Sequence, residues 1–286
     1  MSQPKELAAQ LHQVETLGTI TTAFEGIAAA RIIEIKDSVI NSRGFFNEMW
    51  HIYSLLRVKQ SQSEQQRILK SSKSDHKHTL LIGITSESRF SGSIDEQIVK
   101  QLAKVTDRKT TDIVLFGRHG VRLLQEYNLT PKLVVPLPDN AEKIDVSPVT
   151  DLLPHYDRKL VYYQSFVNLS TQHVKAIELQ DLVQTLSDAQ AKHRDEDLIY
   201  LDRYIVEPDQ DTVIDYLQSI MVSIGLNQVI WESKLAQYAS RFTAMAHANQ
   251  RVKDLQTELK LDYLRARRQI RDTQLKETIV ARNLLR

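Results

Sequence analysis

Cysteine is absent from all 286 residues. Disulfides, thiolate zinc sites and a cysteine nucleophile are excluded, and a reducing compartment is the natural setting. Neither sign of charge dominates: 37 Lys and Arg face 36 Asp and Glu, so the chain lacks the electrostatic footprint of a bulk nucleic-acid binder. By eye there is no apolar run of about 18 residues and no basic-then-apolar leader, so neither a membrane span nor a signal peptide is expected. Glycine (8) and proline (7) are scarce and unevenly spread. What is there, 42% hydrophobic and 26% charged residues, suits a folded chain with one large or two small domains.

Glycine and proline usage divides the chain into zones. Residues 1–58 read as an N-terminal coiled-coil helix, with Leu7, Leu11, Val14, Leu17, Ile20, Phe24 and Ile27 recurring at helical spacing. Residues 59–77 form a polar connector. Residues 78–208 change period: "TLLIGIT", "DIVLFG", "KLVVPL" and "KLVYYQ" are short apolar runs bounded by turn residues, hence strands covered on both faces. Helical pattern between and after them points to a Rossmann-like α/β domain. Residues 209–286 read as one long helix that opens on an Asp209 cap behind Pro208. It carries a near-heptad stripe at Leu235, Tyr238, Phe242, Met245, Val252, Leu255, Leu259, Tyr263, Ala266 and Ile270, interrupted by Asn249. A stripe this narrow needs a partner helix. The expected fold is therefore α/β, with N- and C-terminal long helices in an antiparallel coiled coil flanking the α/β domain and the C-terminal tip overhanging.

Candidate chemistry is sparse. "GITSESRFSGS" (Gly83–Ser93) follows a strand and precedes a helix, where an α/β protein binds phosphate. It lacks both the P-loop Lys-Ser/Thr and the three-glycine dinucleotide spacing, which favours a structural turn. "GRHG" (Gly117–Gly120) suits a tight strand-to-helix turn. "HKH" (His76–His78) falls in the connector with no acidic partner at helical spacing, and His119, His155 and His173 stand apart on loops or strand ends. No Ser-His-Asp set or carboxylate pair stands out, so no active site, cofactor or metal is expected. Charge is concentrated instead at the C-terminus: ten basic against five acidic residues lie between Arg251 and Arg286, most densely at Arg265, Arg267, Arg268 and Arg271. That cluster is either a solvated face with pairs such as Arg268–Asp272 or a contact for an acidic partner.

Taken in order, several stretches resemble one family. "VETLGTITTAFEGIAAARI" (Val14–Ile32) looks like the N-terminal helix of the gamma subunit of F-type ATP synthases. "TSESRFSGSID" sits where that family carries Asp-Arg-Gly-Leu-Cys-Gly-Gly-Leu-Asn, and "FGRHG" resembles its Gly-Arg-Lys-Gly. "YIVEP" and "ASRFTAMAHA" resemble the segment before the long C-terminal helix and its Ala-Arg-Met-x-Ala-Met. "YLRARRQIRDTQLKETIVA" resembles the closing motifs. Departures include Thr19 and Thr22 in place of lysines, Phe24 in place of Met, and Glu87-Ser88-Arg89 in place of Asp-Arg-Gly.

The resemblance implies a central rotor shaft that couples ion-driven rotation of a membrane ring to ATP synthesis or hydrolysis in an alpha-beta ring. It implies a non-catalytic subunit with no cofactor or small-molecule substrate of its own. The implied partners are the alpha, beta and epsilon subunits and the c-ring. The implied location is peripheral, on the cytoplasmic face of a bacterial inner membrane or its matrix or stromal equivalent. The expected partner contacts are Phe24, Arg241, Arg265, Arg267, Arg268, Gln269 and Arg271. An α/β enzyme or an adaptor with helical arms is the alternative.

Overall fold

The computed structural model describes residues 4–60, 78–89, 91–108, 110–138, 144–179, 207 and 209–284. Side chains 37–48 and 50–60 lie outside that description, as do a few near the ends of the C-terminal helix. Most of the connector (residues 61–77), including His76 and Lys77, lies outside the described residues.

Helix α1 runs Pro4–Gln60 without a break. The sheet zone follows as β1 (Thr79–Ile84), α2 (Ile94–Val105), β2 (Thr111–Phe116), α3 (His119–Glu126), β3 (Leu133–Val135), α4 (Ser147–Thr150), β4 (Arg158–Phe166) and β5 (Gln172–Glu178). The last element is α5, Gln210–Leu284. Asp209 caps it: one carboxylate oxygen accepts from the Thr212 backbone N–H at 2.8 Å and the other from the Thr212 hydroxyl at 2.7 Å. One of the backbone donors that a helix start leaves unpaired is thereby satisfied.

The strands order β3-β2-β1-β4-β5, the first four parallel and β5 antiparallel to β4. Successive strands step outward from β1 to β3, and β4 returns to the other side of β1. The ends of β1 and β4 therefore form the switch point at which such sheets place ligands. Leu81, Ile113, Leu115, Leu160 and Tyr162 form one buried cluster with Ile98, Val99 and Leu102 of α2 and Leu124 of α3. The opposite-facing Leu80, Ile82, Ile84, Val114, Phe116 and Val161 are buried as well. This explains the continuous apolar strands: there is no wet face for polar residues to occupy. All four expected strands and both expected helices are present. Strand β5 was not anticipated, because "QHVKAIE" alternates polar and apolar residues and buries little of itself.

The chain divides into two compact units, residues 1–29 with 241–286, and residues 30–240. In the first, α1 and α5 pair antiparallel: Gly18 lies against Val252, Thr21 and Glu25 bond Asn249, and Pro4 and Leu7 lie beside residues 262–277. The seam on α1 differs from the apolar stripe. Its inward positions are Leu7, Leu11, Val14, Gly18, Thr21 and Ala28, while Leu17, Ile20 and Ile27 point to solvent. Small residues win because they let the helices approach: a Cβ on Gly18 would sit 3.1 Å from Val252 Cγ1. Two stripe positions on α5 are likewise corrected. Leu255 and Ile270 are 48% and 44% exposed, and the seam there passes through Val252, Gln256 and Leu259.

In the second unit, α5 is buried almost all round from Gly225 to Ser240, as expected of a helix enclosed on several sides. The same helix carries a feature missed by eye. Within Thr212–Arg282 one 18-residue window reaches a mean hydropathy of 1.3, apolar enough to cross a membrane by length and composition. Half of that window is buried within the chain.

Candidate functional site

Loops at the C-terminal ends of the strands are stitched tightly to one another. Gly117, after β2, has φ +85°, and a Cβ there would come within 2.6 Å of the Ser86 carbonyl oxygen. Gly120 lies against the Thr85 side chain, whose hydroxyl accepts from the Gly120 N–H at 3.1 Å and donates to Phe116 O at 2.9 Å. Only glycine allows backbone and side chain to approach this closely. Glu87 then bridges two further loops, accepting from the Leu137 N–H at 3.0 Å and pairing with the Arg118 Nε at 3.2 Å. "GITSESRFSGS" and "GRHG" are thus built as interlocking turns.

At the centre stands Asp95, fully buried in the first turn of α2. One carboxylate oxygen accepts from the Ser86 N–H at 3.2 Å and from Gln164 Nε2 at 2.9 Å. The other accepts from the Ser86 hydroxyl and lies 2.8 Å from His119 Nδ1. Four donors converge on one carboxylate, which is how a buried acid is accommodated without an unpaired oxygen. The hydrogen bond that His119 donates to Asp95 holds the imidazole pKa above its usual value, against the opposing effect of burial. Ser, Asp and His therefore do meet, contrary to the sequence reading. Ser86 Oγ lies 3.4 Å from His119 Nδ1, but that nitrogen faces the Asp95 carboxylate more closely, at 2.8 Å, and the buried Ser86 hydroxyl donates to the same carboxylate, so the imidazole nitrogen is not free to activate that serine as a nucleophile.

Helix α5 closes over these loop ends. Gln164 Oε1 accepts from the Ser233 hydroxyl and, at 3.0 Å, from Gln237 Nε2. Ser165 donates to Glu232 at 2.7 Å, and Ser240 donates to the Ser91 carbonyl at 2.7 Å. Lys234 donates to the Pro138 carbonyl, and its ammonium lies 4.9 Å from the Trp231 ring centre. The switch-point crevice is thus occupied by the chain's own helix, and the polar side chains named above are bonded internally, whereas the buried Ser91 hydroxyl has no partner among the described residues. Among the described residues, no cluster of His, Asp and Glu is arranged to hold a metal.

The sequence-predicted contact residues separate into two sets. Arg241 is buried and Phe24 is half-buried. Arg265, Arg267, Arg268, Gln269 and Arg271 are exposed, as is every described residue from Arg267 to Arg282. Arg265 pairs with Asp262 at 3.1 Å on its own helix, whereas the expected Arg268–Asp272 pair is absent among the described residues. Arg265 and Gln269 line a groove of about 660 Å³ with Pro4, Leu7, Ala266 and Ile270. Leu261, Leu264, Leu275, Ile279 and Val280 are also exposed, giving the tip apolar as well as basic surface. The sequence reading missed Asp95, Gln164 and Asn249. The only trace of Asn249 was its break in the stripe, and Asp95 was hidden inside an ordinary helical pattern.

Comparison with known proteins places this architecture. A family model described as ATP synthase matches residues 3–281, and the chain belongs to the ATP synthase family. Along its whole length it is similar to gamma chains: 24% identity to the ATP synthase gamma chain of Chloroherpeton thalassium, covering 100% of this chain and 99% of that one. For the Mycoplasma mycoides gamma chain the identity is 26%, over 99% of each. Among solved structures, a chain of the Euglena gracilis mitochondrial ATP synthase superposes with a TM-score of 0.67 at 12% identity, covering 99% of this chain and 94% of that one. A chain from the Tetrahymena thermophila central stalk and c-ring gives 0.57 at 21% identity, over 80% and 99%.

Proposed function

We propose that this chain is the central rotor shaft of an F-type ATP synthase, coupling rotation of an ion-driven membrane ring to ATP synthesis or hydrolysis in an alpha-beta ring. The observation that carries the reading is the tip of α5. It is exposed throughout, basic and partly apolar, and continues a helix pair whose relatives along the full length are gamma chains. A surface of that kind needs an enclosing partner, and a ring of subunits with inward carboxylates supplies both charge and apolar complement.

Arg265, Arg267, Arg268, Gln269 and Arg271 make the ring contacts in this reading. Arg241 and Phe24 act within the chain, holding the arms in place behind those contacts. The chain is non-catalytic: it presents a different face to each catalytic subunit in turn and biases that subunit between open and closed states. Epsilon and the c-ring bind the other end of the rotor, and this chain is peripheral, on the cytoplasmic face of the membrane or its matrix or stromal counterpart. The enzyme alternative loses support from the strand-end crevice, which α5 fills. Co-expression with alpha and beta subunits tests the reading. A six-membered nucleotide-binding ring should co-purify with this chain, and a chain that elutes alone under low salt would overturn the proposal.

A further inference from the structure

The polar cluster at the strand ends does more than fill space. It is a continuous path from α3 to α5: His119 to Asp95, Asp95 to Gln164, Gln164 to Ser233 and Gln237. Every member except His119 is at least nine-tenths buried, and His119 keeps 17% of its side chain in solvent. One end of the path can therefore exchange a proton with water while the other end grips the long helix.

We propose that Asp95 and His119 form a proton-gated clasp that positions the Ser233–Gln237 stretch of α5 against the end of β4. Gln164 is the transmitting group, since its amide nitrogen bonds the carboxylate while its amide oxygen takes both donors from α5. Its orientation is set jointly by Asp95 at the nitrogen and by those two donors at the oxygen. With His119 protonated, the carboxylate faces an opposite charge and a charge-assisted hydrogen bond, roughly twice as strong as a neutral one. With His119 neutral, that charge-assisted bond is lost, and the path loosens at its root.

Other titratable groups around the clasp are few. Glu96, next to Asp95 on α2, adds to the negative field that favours the imidazolium. Glu87, from the loop after β1, is engaged by Arg118 and the Leu137 N–H. From α5 the facing groups are the neutral Ser233 and Gln237, and Glu232 is held by Ser165. Histidine is thus the one group of the clasp whose ordinary titration range spans neutral pH.

The clasp stands on the geometry of the α/β unit. Its consequence, that the grip on a torque-bearing helix varies with proton activity, rests on the rotor reading. The test uses the full-length chain alone, so failure of one idea is distinguishable from failure of the other. Amide hydrogen exchange of α5 over Ser233–Ser240 is followed from about pH 5.5 to about pH 8.5, corrected for intrinsic exchange. Protection should fall as pH rises, by about tenfold for each unit by which the fold raises the imidazole pKa. His119→Gln keeps a donor toward Asp95 and should remove the slope, whereas His155→Gln should leave it. Should His119→Gln fail to fold, the wild-type His119 ring is titrated by NMR, and its midpoint must coincide with the loss of α5 protection. A pH-independent wild type, an unchanged slope in His119→Gln, or a displaced midpoint overturns the clasp.

Discussion

The two compact units each enclose a conspicuous polar residue, and they treat it differently. In the coiled coil, Asn249 breaks the apolar stripe and is only half-buried. Its amide accepts from Thr21 at 2.7 Å and Thr22 at 3.2 Å and donates to Glu25 at 2.6 Å. In the α/β unit, Asp95 is wholly enclosed and takes four donors from three elements. A neutral amide matched to partners one helical turn apart specifies axial register at modest cost. A buried carboxylate ties separate elements together, because leaving any of its oxygens unmatched is expensive. The coiled coil thus uses polarity to choose an alignment, and the sheet uses it to hold elements together.

Removing the carboxylate breaks the comparison most sharply. Asp95→Ala leaves the Ser86, His119 and Gln164 donors without their acceptor, and a loss of about 3–5 kcal/mol is expected, measured as a lowered urea midpoint for the α/β unit. In the same experiment Asn249→Leu should change stability by less than about 1.5 kcal/mol. Its signature lies elsewhere. Spin labels at Glu15 and Lys253, which line one groove, should give a single distance in the wild type and a broadened distribution in Asn249→Leu. A single sharp distance in the variant would remove the register role.

A pH prediction sharpens the same contrast. The folded-state pKa of His119 lies above its unfolded value near 6.5. The stabilisation is therefore complete below that unfolded value and is lost as pH rises through the folded pKa. Asp112 behaves oppositely: hydrogen bonds from Lys132 and Tyr156 depress its pKa, so its contribution is lost only as pH falls through that depressed value. Differential scanning calorimetry between those limits should show the α/β unit melting higher on the acidic side of neutrality. The coiled-coil polar contacts at Asn249 should not follow. The smallest effect is expected at Leu255. Because Leu255 is about half exposed and off the seam, Leu255→Asp should cost no more than about 0.5 kcal/mol, whereas Val252→Asp, at the seam beside Gly18, should cost several-fold more by thermal melting.

Periodicity made the strands, the sheet helices, the Asp209 cap and the pairing of the arms legible in the sequence. The seam on α1 was legible only in part, at Leu7, Leu11, Val14 and Phe24, because hydrophobicity marks what prefers burial, while close approach selects what is small. Leu17, Ile20 and Ile27 outscore Gly18, Thr21 and Ala28 on any apolar scale and still lie outside. Strand β5 escaped because an edge strand with one partner needs little apolar surface. The Asp95 cluster assembles residues separated by up to 151 positions, from Ser86 to Gln237, and no local pattern announces such a meeting. The basic tip, by contrast, was visible as charge alone.

That tip also offers the most direct test of the shaft reading. Steady-state ATPase activity of the complex purified with alpha and beta subunits is compared between wild type and Arg267→Glu/Arg268→Glu. Each lost charge-assisted hydrogen bond is expected to cost about 1.5–3 kcal/mol. The complex should still assemble at low salt through the rest of the helix pair while turnover falls at least about tenfold. Full turnover in the double variant would mean that these arginines are only a solvated helix face, and the proposed bearing would be wrong.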